Sequence, residues 1–498
     1  MDWFRTGFLF SILLLIIFLT ELIRKRFKLS VEATRKFVHI ITGLLIALTP
    51  LLLTNAMPLL IISGSFVVIN LIAIRKHWLP GMHATPQVSY GTVFYPASFF
   101  ILSLLLWHNY KSVLVTAMLI MAIADALAAI VGRSVSSPRL YQISGETKSF
   151  QGSLAMFAAT FIIVVGGMHL FLPIDGLSIP WASILWIASI AAIMATVCES
   201  ISFRGSDNLT VPLGAAFVIH YMVSHAAADN VNFSLGIAIA LLIASASFLL
   251  HFLNSSGAVS TFLLGSIVFG IGKWEYSLPI LLFFVLSSLL SKLGKEWKQK
   301  FAATFQKGGR RDFGQVAANG GIAGIIVLLW NYVPWNGWYF LFVGSIAAVT
   351  ADTWATEIGV FSKRTPRHVL NFSPVPPGTS GGITLLGSGA AILGSLVIVF
   401  VGGMATDHYA HTKNGWLLAL LITVAGFLGS IVDSIIGATI QAQYRCPACN
   451  KITEKKVHCQ HHRTQVISGY PIIDNDVVNA LCALSGAFFS WIAYRLLT

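Results

Sequence analysis

The sequence predicts an all-α polytopic membrane protein of about sixteen transmembrane helices, built as two related helical domains in tandem. Three observations carry that expectation. Apolar residues make up 56% of the 498 and charged residues only 10%, far too little charge for a soluble chain of this length. Apolar runs close to the ~20 residues that a bilayer requires recur from end to end. One nine-residue pattern, A-D-x-x-A-x-x-x-G, occurs twice, at residues 124–132 and 351–359.

Taken in order, the expected spans begin near residues 4, 37, 57, 91, 112, 150, 181, 210, 234, 258, 276, 314, 338, 381, 415 and 474. The first is long enough to span and lacks a small-residue cleavage site, so it reads as a helix and not as a secretory signal. The net charge of +13 does not call for nucleic acid, because Lys and Arg cluster between the apolar runs. Such clusters mark cytoplasmic loops. Arg24, Lys25, Arg26, Lys28, Arg35 and Lys36 put the first loop inside. Every second loop then carries the basic residues, and the alternate ones hold only Lys111, Lys273 and Lys413. Both termini fall outside.

The repeat extends beyond its nine residues. Asp125 is followed by Lys148, Ser149, Gly152 and Ser153, then Glu199, then Asp207-Asn208. Asp352 is followed by Gly378, Thr379, Ser380, Gly381 and Gly382, then Asp433, then Asp474-Asn475-Asp476. Upstream, Arg35-Lys36 and Arg310-Arg311 precede helices carrying Gly43 and Gly320. Corresponding motifs fall on the same side, so the repeat is parallel, with domains at residues 1–233 and 234–498. A Cys/His loop at residues 441–473 interrupts the second.

An aspartate inside an apolar helix costs ~2.5–3.5 kcal/mol on insertion scales and points to function. Positions i, i+3 and i+7 share a helix face, so each motif presents Asp, Ala and Gly together. Around each acid the cytoplasmic loops supply further carboxylates, cations and Gly/Ser/Thr turns. Those are the parts that phosphoryl transfer uses: carboxylates for Mg²⁺, cations for phosphate charge and backbone amides for its oxygens. The same parts suit two alternatives. One is an ion-coupled secondary transporter built from a parallel repeat; the other is a cytidylyltransferase forming a CDP-lipid. No Walker A loop and no protein-kinase motif set occurs. Cys446, Cys449, His458 and Cys459 offer the spacing of a structural Zn²⁺ site in that loop. Cys198 and Cys482 lie in apolar helices and read as small buried hydrophobes.

The first half resembles the phytol kinase and dolichol kinase family through Arg35-Lys36-Phe-Val-His39, Asp125 to Arg133, Lys148 to Ser153, and Glu199 to Pro212. The second half resembles the phytyl-phosphate kinase, or transmembrane-protein-19-like, family. There the matching residues are Lys307-Gly-Gly-Arg310-Arg311-Asp312, Gln315 to Gly320, Ala351 to Gly359, Pro377 to Gly382, Gly429 to Gln441 and Asp474 to Asn479. The resemblance implies a membrane lipid kinase with both sites facing the cytoplasm. The first half would phosphorylate an isoprenoid alcohol and the second the isoprenyl phosphate, with CTP or another NTP as donor. Asp125, Asp207 and Lys148, and then Asp352, Asp433 and Asp474, are the expected catalytic groups. Mg²⁺ would sit on Asp125, Asp207 and Glu199 in the first half, and on Asp352, Asp433, Asp474 and Asp476 in the second. Nucleotide and phosphate contacts would come from Arg35, Lys36, His39, Arg133, Ser149, Gly152 and Asn208, then from Lys307, Arg310, Arg311, Asn319, Thr379, Ser380, Gly381 and Asn475.

Overall fold

A computed structural model describes residues 1–28, 31–76, 89–293, 310–412, 414–459 and 462–498. Its described residues are overwhelmingly helical and group into two compact units, Met1–Asn230 and Val231–Thr498. Among the described residues, eleven helices are long and apolar enough to cross a membrane, and three shorter ones are also apolar. Many large apolar side chains point outward, as on the first helix, where Phe4, Phe8, Leu15 and Phe18 are exposed. A helix apolar on every side is one that lipid surrounds.

The first unit contains α1 (Asp2–Phe27), α2 (Val31–Leu52), α3 (Met57–Arg75), α4 (Gly91–Leu106), α5, α6 (Phe150–Phe171), α7 (Trp181–Ser200) and α8 (Asp207–Ser224). Helix α5 runs from Lys111 to Ser134 in three parts: α-helix at Lys111–Leu119, a π-helical turn at Ile120–Ala124, and α-helix again at Asp125–Ser134. It packs against α2, α6 and α8, so Val113, Leu114, Val115, Ala117 and Met118 are wholly buried. The acid-bearing helix is therefore the core of its unit. A two-stranded hairpin, β1 (Leu140–Gln142) and β2 (Thr147–Ser149), joins it to α6 with Tyr141 opposite Lys148.

The boundary between the units falls within α9 (Ala227–Leu249), and the second unit continues with α10 (Ser255–Ile271), α11 (Lys273–Leu293), α12 (Phe313–Tyr332), α13 (Trp338–Gly359), α14 (Leu385–Ala405), α15 (Gly415–Thr439) and α16 (Asn475–Leu497). Helix α13 carries Asp352 and packs against α14, α15 and α16. A short hairpin, β3 (Arg367–His368) with β4 (Gly382–Ile383), again precedes the helix that follows the acid. Between α15 and α16 lies the only sizeable sheet structure among the described residues. It comprises a three-stranded sheet ordered β6-β5-β9 (Ile452–Thr453, Gln443–Arg445 and Gln465–Ser468) and a second hairpin of β7 (Val457–His458) with β8 (His462–Arg463).

Candidate active sites

In the first unit the chain brings its motif residues together by removing side chains where two helices meet. Ser149 caps α6, its Oγ accepting from the Gly152 N–H at 3.1 Å. A Cβ on Gly152 would fall 2.8 Å from the Ala128 carbonyl oxygen and 3.5 Å from the Gly132 Cα. The Ala128 and Gly132 face of α5 thus meets the first turn of α6 backbone to backbone. That contact fixes Lys148, one residue before the cap, where its Nζ lies 2.8 Å from Glu199 Oε1 with both side chains largely buried. Burial opposes the lysine's charge, yet Glu199, Asp207 and Asp125 outweigh it and hold its ammonium above the ordinary lysine range. Asp125 itself follows the π-helical turn, whose Met121 carbonyl lies 3.3 Å from His39 Nε2. Such wide turns interrupt α-helices mostly at functional sites.

Asp207 opens α8 behind a tight loop. Gly205 has φ +83°, and a Cβ there would fall 2.7 Å from the Gly91 Cα, so only glycine lets the loop approach α4. The Tyr90 N–H donates to the Arg204 carbonyl at 2.8 Å, and the Arg204 N–H donates to Glu146 Oε1 at 2.7 Å. These bonds tie the loops around one cavity of about 870 Å³. Its lining combines apolar side chains, among them Leu13, Leu45, Ile62 and Phe66, with the polar and charged Lys36, His39, Asp125, Asp207 and Asn208. Glu146 and Arg204, which sequence reasoning did not place at the site, line it too. Of the other expected residues, Ser149 and Gly152 serve the helix contact, Arg133 is exposed at the end of α5, and Arg35 lies within α2.

The second unit repeats the helix contact. Thr384 caps α14 through the Gly387 N–H at 3.0 Å, and a Cβ on Gly387 would fall 2.9 Å from the Ala355 carbonyl oxygen. Beside it, Asp433 on α15 lies within hydrogen-bonding reach of Asp352 and close to Glu454. Glu454 Oε1 accepts from Ser380 Oγ at 2.8 Å and from Gln441 Nε2 at 3.0 Å. Sequence reasoning missed Glu454 altogether. Gly381 (φ +77°) lets the Ser380 loop lie against Ala438 of α15, and Thr379 Oγ1 bonds within its own turn to the Pro376 carbonyl.

The other expected residues are found as follows in the fold. Asp474 accepts from the Val477 N–H at 3.3 Å and so caps α16, with Asn475 and Asp476 in that helix's first turn. Arg311 lies over the Phe283 and Phe284 rings, at 5.7 and 5.8 Å, and shares a small cavity lining with Gln315 and Asn319. Arg310 is exposed, and Lys307 lies outside the described residues.

The Cys/His loop gathers Cys446, Cys449, His458 and Cys459 so that their ligand atoms lie within 4.8 Å of one another. Burial disfavours a thiolate at Cys446, but the N–H groups of Cys449 and Ala448 and the His458 side chain bring it down to about 6. Cys459, sharing its proton with Cys449 and further disfavoured by burial, is pushed up to about 11.

The family described as integral membrane protein DUF92 matches residues 238–487. The chain is 33% identical to Protein PGR of Arabidopsis thaliana, over 51% of this chain and 93% of that protein. It is also 33% identical to a phytol kinase of Synechocystis sp., over 43% of this chain and 90% of that enzyme. The chloroplastic phytol kinase 1 of Arabidopsis thaliana is 25% identical over 39% of this chain and 67% of its own length. No solved structure matches the chain.

Proposed function

The chain belongs to the DUF92 family of integral membrane proteins, and from that premise we propose that it is a two-site kinase of membrane isoprenoids. The first unit converts an isoprenoid alcohol to its monophosphate; the second converts the monophosphate to the diphosphate. CTP or another NTP is the donor, and both sites face the cytoplasm, the side on which the basic loops gather. The single observation that carries this reading is the cavity of the first unit. Its volume of about 870 Å³ suits a small-molecule site, and its lining combines apolar side chains fit for a hydrocarbon chain with charged ones fit for phosphate. Phytol kinases among the relatives support the same substrate class.

In each step the lipid oxygen attacks the terminal phosphorus of the nucleotide. A new P–O bond forms, the bond to the nucleoside diphosphate breaks, and a proton on the acceptor oxygen passes to a carboxylate or to water. Asp125 and Asp207 line the first cavity, able to orient the hydroxyl. Lys36, Arg204 and, behind them, Lys148 offset phosphate charge. In the second unit Asp352 and Asp433 lie so close that together they require a proton or a cation between them. Their donor set fits Mg²⁺, which is held by carboxylate oxygens and, when bound, neutralises charge developing on the transferred phosphoryl group.

The test is direct. Purified protein is given phytol, farnesol or geranylgeraniol with Mg²⁺ and CTP, and the products are separated. Monophosphate followed by diphosphate is expected. Accumulation of a CDP-lipid would replace the reading with a cytidylyltransferase, and no phosphorylated lipid with any NTP would end it.

A further inference from the structure

We propose that Cys446, Cys449, His458 and Cys459 bind one Zn²⁺ ion, and that this ion holds Glu454 in place at the acid site of the second unit. The donor geometry comes first. His458 Nδ1 lies 3.4 Å from Cys449 Sγ and 3.2 Å from Cys459 Sγ. A tetrahedral zinc with bonds of ~2.3 Å to sulfur and ~2.0–2.1 Å to nitrogen has N···S edges of about that length. All three sulfurs are free thiols, and the chemistry of three thiols with one imidazole is that of zinc and not of a disulfide.

The backbone is shaped for the same purpose. Cys446 and Cys449 occupy the turn between β5 and β6, closed by the Cys446 N–H to the Lys451 carbonyl (3.0 Å) and the Asn450 N–H to the Cys446 carbonyl (2.8 Å). His458 ends β7 and Cys459 begins the turn to β8. Cys459 (φ +42°) is in the left-handed region without being glycine or asparagine. Strain of that kind persists only where the surroundings hold it. The two hairpins have little core to do so, since Ile452, Val457, Val466 and Ile467 are all exposed. A module this small ordinarily needs a metal or a disulfide.

Glu454 lies between the two halves of the ligand set in the chain, after Cys449 and before His458. A metal joining both hairpins therefore pins the segment on either side of it. From there its Oε1 accepts from Ser380 Oγ and Gln441 Nε2, so loss of the metal frees the Ser380 loop as well as the hairpins. The inference goes beyond the kinase reading, because its readouts are metal content and backbone order, not turnover.

The full-length protein in detergent micelles is examined by elemental analysis and by hydrogen exchange. One zinc per chain is expected, and Cys449→Ser or Cys459→Ser should lower occupancy by more than about tenfold. Cobalt in its place should show thiolate-to-metal charge-transfer absorption. Removing zinc by chelation, with Mg²⁺ then restored, should speed exchange at residues 443–468 and also at residues 379–382. Glu454→Ala should keep the zinc and speed exchange at residues 379–382. Protein purified without zinc, and taking up neither zinc nor cobalt, overturns the site. Zinc loss or Glu454→Ala that leaves residues 379–382 unchanged overturns the link to Glu454.

Discussion

Gly152 in the first unit and Gly387 in the second sit in the same cradle. A Cβ on each would fall 2.8 and 2.9 Å from the carbonyl of Ala128 or Ala355, 2.9 and 3.0 Å from the capping hydroxyl, and 3.5 and 3.4 Å from the Cα of Gly132 or Gly359. The charges set beside that shared backbone differ. Before the Ser149 cap stands Lys148, paired with Glu199. Before the Thr384 cap stands Ile383, and Asp433 faces the carboxylates of Asp352 and Glu454. The first site thus carries a buried cation of its own, whereas the second assembles acids that call for one from outside. The backbone geometry is common to the two halves while the charge balance differs, and on the proposed reading that difference would suit a neutral acceptor in one unit and an already phosphorylated one in the other.

The largest effect should come from breaking the resident ion pair. Lys148→Met leaves Glu199 buried and uncompensated and should cost about 3–5 kcal/mol, read as a lower thermal midpoint in detergent. Lys148→Met with Glu199→Gln should recover most of that stability; no recovery would mean the lysine acts otherwise. Next, Gly152→Ala and Gly387→Ala each push a methyl against a backbone carbonyl that has nowhere to go. Each should cost ~1–3 kcal/mol, and unequal costs would break the likeness of the two cradles. A smaller change is expected from Ile383→Lys, which gives the second site the first site's cation. It should raise the Mg²⁺ concentration needed for half-maximal use of the monophosphate several-fold, on the order of 1 kcal/mol. The smallest effect is that of pH. Because the Lys148 pKa is raised, its stabilisation is complete below the ordinary lysine value and is lost only as pH climbs past the raised one. Between about pH 7 and 9 this pair should leave the thermal midpoint flat, and a loss there would contradict the pairing.

Much of this could be read from the chain, for reasons that are local. The A-D-x-x-A-x-x-x-G spacing encodes one helix face, and that face is where both helix contacts form. The four zinc-type ligands are spaced as two short turns deliver them. Other features misdirected the comparison of the halves. The glycine-rich residues 378–382 looked like the counterpart of the Lys148 to Ser153 stretch, but the structural counterpart of Ser149 and Gly152 is Thr384 and Gly387. A hydroxyl three residues before a helical glycine, a capping spacing, was the signal that distinguishes them. The same spacing applies to Asp474, expected from the sequence as a catalytic acid, whose side chain also caps the apolar helix that follows it. Glu146, Arg204 and Glu454 were invisible because their positions depend on how loops fold back over long separations, which no period records. The π-helical turn before Asp125 has no signature in its apolar residues either.

The central claim is that the two units do different jobs, and one pair of variants tests it most directly. Asp125→Ala and Asp352→Ala are each assayed twice, with an isoprenoid alcohol and with its monophosphate, in the presence of Mg²⁺ and CTP. Asp125→Ala should lose use of the alcohol by at least about 10²-fold and keep use of the monophosphate. Asp352→Ala should accumulate monophosphate from the alcohol and fail to extend it. Equal losses on both substrates from both variants would contradict the account.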